Sequence, residues 1–217
     1  MERTNNYLIM RHQAQEKFLT YEQAPILARW QLKSDEQRIF VSFFQQEYEI
    51  SRATGEILRC KNGMPAGFEE TLSIFDLLCY AKARPFASSD FAPINSLTGK
   101  PVGAGVSTDP TCSSYALRFS RSVSAFCSAC ETLGGRRIDI GDIGYEFPVF
   151  ADLMLRLKFY EADDEFPPQL TVLFSSNALS YVRYETIFYI MNHQLSQIAG
   201  LIPEPHLPHR THRSAPQ

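Results

Sequence analysis

No apolar run in this chain of 217 residues approaches the ~20 needed to cross a bilayer, so a membrane-spanning helix is not expected. Excess positive charge is missing too: 21 Lys and Arg stand against 24 Asp and Glu, and a net charge of −3 gives nucleic acid no broad attraction. Cysteine is sparse and odd in number, with Cys60, Cys79, Cys112, Cys127 and Cys130 scattered along the chain. That pattern does not read as a secreted disulfide framework and suits a reducing compartment. The opening MERTNNYLIMRHQ lacks the apolar segment and cleavage site of a secretory signal, so a cytoplasmic location is the expectation. Also lacking are the GxGxxG and GxxxxGK[ST] phosphate loops, the GxSxG elbow and the HExxH zinc motif. Only His12 and His193 lie outside the C-terminal segment, and His193, off the apolar face of its helix, is expected in solvent. With no nucleophile–base pair to place, the balance leans away from an enzyme.

What is present is an ordinary globular composition, 44% hydrophobic and 21% charged, in a chain long enough for a sizeable core. Residues 5–33 are expected to be helical with a break near Pro25. Tyr7, Met10, Ala14 and Phe18 recur at three- and four-residue steps, and a proline in a first turn loses no intrahelical bond. From Arg38 to Cys60 the residues become β-branched and aromatic, with a turn at Thr54-Gly55, which predicts a hairpin or three-stranded meander. Phe68 to Ala83 predicts a helix with Glu69 and Glu70 in the first turn, where negative charge suits the helix dipole. Residues 85–110 carry four prolines and three glycines without periodicity, the mark of a binding loop or a disordered one. Ala116, Phe119, Val123, Phe126, Cys127, Cys130 and Leu133 form the stripe of a single further helix, closed by Gly134-Gly135.

The clearest strand follows. Leu153, Leu155, Leu157 and Phe159 alternate with Met154, Arg156 and Lys158, which requires one buried face, and Leu170, Val172 and Phe174 repeat the pattern. A last helix is expected from about Tyr184 to Ala199, capped by Gly200, and 201–217 reads as a flexible Pro/His-rich tail. Helices and strands are grouped rather than alternating. The expected class is therefore α+β: a single domain over 1–200, with an antiparallel sheet of about five to six strands packed against about three to four helices.

Candidate chemistry gathers in 141–174. If 143–149 and 152–160 pair across a Val149–Asp152 turn, Asp142 falls opposite Lys158, and Glu146 opposite Met154 and diagonal to Arg156. The next turn would bring Glu161, Asp163, Asp164 and Glu165 to the same sheet end. Asp142, Glu146, Glu161, Asp163 and Asp164 are then candidate ligands for a divalent metal such as magnesium or calcium, although no cofactor is required. A solvated acidic turn neutralised by Arg156 and Lys158 is the leading explanation of the same residues. Cys127-Ser-Ala-Cys130 would suit zinc or a redox pair, but no second CxxC accompanies it and both sulfurs fall on the apolar stripe, so packing is expected. His206, His209 and His212 recur with the polyproline period and offer an incidental metal site, while Gly103-Ala-Gly105 lacks the rest of a phosphate cradle.

Several runs resemble the bacterial and archaeal family known as domain of unknown function 3786. They are Gly141-Asp142 with Glu146-Phe147, the stretch Phe159-Tyr160-Glu161-Ala162-Asp163-Asp164-Glu165-Phe166-Pro167, and the helix Glu70 to Lys82. Tyr48-Glu-Ile50, Gly55, Leu133-Gly-Gly135 and Tyr184-Glu-Thr186 fit as well, and the LCYAK and Arg183-Tyr184-Glu185-Thr186 versions are similar to a clostridial-type branch. The resemblance implies no activity and no catalytic residues. Some relatives join the domain to a cysteine-rich iron–sulfur motif of the kind found in corrinoid proteins, which implies an association with metallocofactor or one-carbon metabolism; that cysteine cluster is absent from this sequence. Two functions follow. The first is a non-enzymatic accessory domain that binds an unidentified small molecule or protein through the 85–110 loop and the acidic hairpin end. The alternative is a divalent-metal-dependent enzyme built on the five carboxylates.

Overall fold

The computed structural model describes residues 6–98 and 110–203. Helices α1 (Asn6–Leu19) and α2 (Gln23–Trp30) come first, with Pro25 in the opening turn of the second. Strands β1 (Arg38–Phe43), β2 (Gln46–Ser51) and β3 (Ile57–Arg59) form the expected antiparallel meander. It turns at Gly55, whose φ of 70° is cheap only without a Cβ. Helix α3 (Phe68–Cys79) leads to β4 (Phe91–Pro93), then α4 (Pro110–Ser120) and α5 (Val123–Thr132). Strands β5 (Arg136–Ile138), β6 (Ile143–Phe150), β7 (Leu153–Tyr160) and β8 (Gln169–Ser175) precede helix α6 (Tyr184–Leu201). The second sheet is antiparallel, in the order β4-β8-β7-β6-β5. The class is α+β as expected, with the strands divided between two sheets.

The alternation of β7 is realised in full: Leu153, Leu155, Leu157 and Phe159 are buried while Met154, Arg156 and Lys158 are only half covered. Phe119 of α4 stacks on Phe126 of α5 at 4.7 Å, and Phe126 meets Phe159 at 5.4 Å, so both helices cover that inward face. The sheets are joined where the Phe44 N–H donates to the Val149 carbonyl at 2.9 Å.

Four differences from the sequence reading have identifiable causes. Helix α3 ends at Cys79 rather than Ala83, because the Leu78 carbonyl is taken by Trp30 Nε1 (3.1 Å) and Arg29 Nη1 (3.4 Å) from α2. The single helix expected before Gly134 is two, broken where Ser122 leaves helical space at φ −153°, ψ 82°. Helix α6 runs through Gly200 to Leu201. Finally, the described part of the 85–110 span is no open loop. The Ala87 N–H donates to Asp152 Oδ2 (3.0 Å), the Ser88 N–H to Asn177 Oδ1 (2.8 Å), and β4 pairs with β8 as an edge strand. Gly103 and Gly105, with His206, His209 and His212 of the expected tail, lie outside the described residues. Among the described residues no helix is long and apolar enough to cross a membrane.

Because β7 lies between β6 and β8 with its leucines fully buried, Leu155→Ala should destabilise the chain by about 2–5 kcal/mol. Urea denaturation should show this as a lower midpoint at unchanged slope. A loss within the error of the measurement would mean that this face is not the core.

Candidate functional site

Glu70 is the third residue of α3, and a glutamate there can reach back to the N–H that precedes the helix. Its Oε2 accepts the Gly67 N–H at 2.5 Å; Gly67 has no side chain to return the bond, so only half of a capping box forms. The rest of the carboxylate turns inward, where Glu70 is 2% exposed. Tyr48 on β2 donates its hydroxyl to Oε1 at 2.7 Å, Arg59 on β3 donates Nε to the same oxygen at 2.9 Å, and Arg59 Nη2 donates to Oε2. Burial pushes the Glu70 carboxyl up, but the bonds from Arg59, Tyr48 and Gly67 outweigh it and hold the group below the usual glutamate value. The Tyr48 phenol is pushed up, first by burial and then by its bond to Glu70.

His193 of α6 approaches the same centre. It is 4% exposed rather than solvated, with its ring against Phe43 (5.2 Å between centroids) and Phe44 (5.7 Å). Burial lowers its pKa to about 4 against the upward pull of Glu70, so the ring is neutral at pH 7. Among the described residues its Nε2 has no hydrogen-bond partner, and neither has the buried Oδ1 of Asn192 beside it in sequence.

These groups border a cleft of about 510 Å³ between the start of α3 and the outer half of α6. Arg59, Glu70 and His193 line it together with Glu69, Asn192 and Ser196. Aromatic rings make up the remaining wall: Tyr7 meets Phe68 edge-on at 4.8 Å, and Phe68 meets Tyr189 at 5.4 Å. Tyr189 also borders a second cavity of about 240 Å³, toward α1, which holds Lys17, Phe18 and Phe75. There the buried Asp76 accepts the Arg183 N–H and the Thr186 hydroxyl, each at 2.8 Å, and the Arg183 guanidinium through Nη1.

The acidic hairpin is arranged differently from its expected register. Glu146 faces Arg156, and Gly144 faces Lys158, two residues away from the pairing read from sequence. The cause is a two-residue turn, Ala151-Asp152 with Ala151 at φ 50°, that joins Phe150 to Leu153 and forces an irregularity between Pro148 and Phe150. Glu146 is buried and held by Arg156 Nε (2.7 Å) and Arg136 Nη2 (2.5 Å). Asp142 Oδ2 accepts the Glu161 N–H at 2.9 Å, which does bring those two residues together. Asp163 Oδ1 accepts the N–H groups of Glu165 (2.8 Å) and Phe166 (2.7 Å), and Asp164 is exposed. Among the described residues no group of three or more His, Cys, Asp or Glu side chains is placed to hold a metal ion. Cys127 and Cys130 are free thiols; Cys130 is fully buried, which pushes its pKa up and keeps it protonated.

The family model described as a domain of unknown function (DUF3786) matches residues 23–195. The chain belongs to this family. No curated protein and no solved structure matches it. The matched span of DUF3786 takes in both sheets and the Tyr48–Arg59–Glu70–His193 group, and leaves out α1 with Tyr7 and the last residues of the cleft wall, from Ser196.

Reading the sequence missed this group. Glu70 and Tyr48 enter the sequence reading through the helix dipole and the family resemblance, with no link between them, and Arg59 is one polar residue in a short strand. The available signal was an arginine in EILRC eleven residues before the second glutamate of a helix-opening Glu-Glu, too common a pattern to single out.

The low pKa of His193 has a definite sign. Its folded value of about 4 lies below the ordinary 6.5, so as pH falls the unfolded chain takes up the proton first and stability drops. The loss between pH 6.5 and 4 should reach about 3 kcal/mol from this residue. Glu70, with its folded value lowered, loses stability in the same direction as pH falls further. His193→Phe should flatten the slope of urea stability between pH 6.5 and 4, and equal slopes in both proteins would refute a buried neutral histidine.

Proposed function

We propose that this DUF3786 chain is a non-enzymatic ligand-binding accessory domain whose ligand seats in the cleft between α3 and α6. One observation carries the reading. The Glu70 carboxylate at the cleft is fully bonded, whereas His193 Nε2 and Asn192 Oδ1, which belong to residues of the same cleft, are buried without partners. An unpaired buried polar group costs about 1–3 kcal/mol, so a molecule that pairs it gains by binding there. Binding is favoured over catalysis because the two groups at the centre of the cluster, Glu70 and His193, are poor bases. The Glu70 carboxyl is held below its ordinary value and engaged by Arg59, and His193 loses its proton near pH 4. The 85–98 strap contributes no lining to this cleft, which moves the proposed contact surface away from the loop and onto the two helices.

The competing reading, a divalent-metal-dependent enzyme acting through Asp142, Glu146, Glu161, Asp163 and Asp164, draws support from the Asp142–Glu161 contact. Glu146 adds little to it, since Arg136 and Arg156 already match its charge. If the acidic hairpin holds a cation, millimolar magnesium, manganese or calcium should raise the melting temperature, and Asp142→Ala should abolish that rise. We expect no rise.

Native mass spectrometry of the untagged chain should find a bound small molecule, whose identity would also test the link to metallocofactor or one-carbon metabolism. Ser196→Trp, which fills the cleft from α6, should lose that molecule at an unchanged melting temperature. Equal retention by the variant would overturn this reading.

A further inference from the structure

The charge left unmatched among the cleft residues is of one sign, and it identifies the chemistry of what the cleft takes. This step rests on the proposed ligand site. Each nitrogen of Arg59 makes one hydrogen bond: Nε and Nη2 bond Glu70, and Nη1 bonds the Pro65 carbonyl at 3.3 Å. Its charge cancels that of Glu70, and His193 is neutral. Among the lining residues this leaves one unmatched charge, that of Glu69. Glu69 is half-buried and has no hydrogen-bond or ion partner among the described residues.

The helix dipole accounts for an acid at the second position of α3, but such a residue ordinarily stands in water. Here it lies instead on a cleft walled by Tyr7, Phe68 and Tyr189. Burial, and then the charge of Glu70, push its pKa up, as expected for a carboxylate that lacks a counter-charge. A half-buried carboxylate beside aromatic rings attracts a soft cation by two routes, the ion pair and the ring quadrupole. The neighbouring cavity across Tyr189 has the opposite balance, Lys17 and Arg183 against Asp76 alone, so the negative character is local to this cleft.

We propose that the cleft binds an organic ammonium ion, seated between the Glu69 carboxylate and the rings of Phe68 and Tyr189.

The test is an amide-resolved NMR titration of the labelled full chain with n-butylammonium, tetramethylammonium, butyrate and butanol, at matched ionic strength in sodium chloride. One or both ammonium probes should shift the amides of residues 68–70 and 189–196 with saturation, while butyrate, butanol and sodium should not. The n-butylammonium arm distinguishes a primary amine from the methylated cation. Glu69→Gln should weaken that binding by about tenfold or more at an unchanged melting temperature. Tyr189→Ala should weaken it as well, which keeps the proposal testable if the first variant folds poorly. Butyrate or butanol shifting the same amides equally would overturn the ammonium assignment while leaving a ligand site in place. No saturable shift with either ammonium probe, or undiminished affinity in Glu69→Gln, would overturn it too. The site reading itself falls only if the natural ligand survives Ser196→Trp.

Discussion

The whole arrangement depends on keeping the Glu70 carboxylate paired once it has left water. An unpaired ion in a protein interior costs several kcal/mol, so the surroundings of this one are fixed by its needs. The partners come from three places: Tyr48 on β2, Arg59 on β3 and the Gly67 N–H before α3. Satisfying them sets the three-stranded sheet against the first turn of the helix. Asp76 repeats the device one end later. Six residues along a helix is a rotation of about 240° from Glu70, so Asp76 emerges on another side and meets α6 instead. It accepts the Arg183 N–H at the start of α6, where the helix dipole also favours a negative charge. One short helix therefore fixes both the sheet and the entry of α6, and the cleft is the space between those two attachments.

A third buried acid shows what the first is not. Glu146 is held within the second sheet by Arg136 from β5 and Arg156 from β7. Arg156 in turn sits over the Phe91 ring at 3.5 Å, which ties the edge strand β4 to the same group. Both oxygens of that carboxylate are paired with guanidinium groups, so Glu146 explains the cohesion of the sheet. At Glu70 a satisfied charge shares its cleft with His193 and Asn192, whose buried polar atoms are unpaired among the described residues. That contrast, rather than burial or charge alone, selects the site.

How much of this the sequence carried depended on which residues set its periodicity. The strand at 153–159 was legible because leucine alternates with polar residues, and a period of two admits few other readings. The meander was legible from its β-branched runs and the glycine turn. The break at Ser122 was not, since Phe119 and Val123 keep helical spacing across it and both helices bury the same stripe. The hairpin register failed by two residues because it depended on the left-handed Ala151, and alanine gives no signal for that conformation. His193 was placed in water because pattern reading assigns polar residues to the outer face. Helix α6 has no fully outer face along its middle: Thr186, His193 and Gln194 are buried along with Ile190, Met191 and Leu195. Buried polar side chains are where periodicity says least, and here they form the site.

Replacing buried ion pairs with well-packed apolar side chains is often neutral or stabilising, so cohesion alone gives weak reason to keep Arg59 and Glu70 at the edge of a solvent-facing cleft. The proposed recognition role gives a stronger one. Tyr189 separates two cavities of opposite residual charge, Lys17 and Arg183 exceeding Asp76 on one side and Glu69 standing unmatched on the other. On the proposed reading a molecule entering on the Glu69 side meets a negative wall, and Lys17 and Arg183 beyond Tyr189 form the positive side of the gradient. The paired Arg59 and Glu70 add almost no net field to this gradient. They hold the helix that carries Glu69 in place, and the neutral His193 leaves the gradient intact.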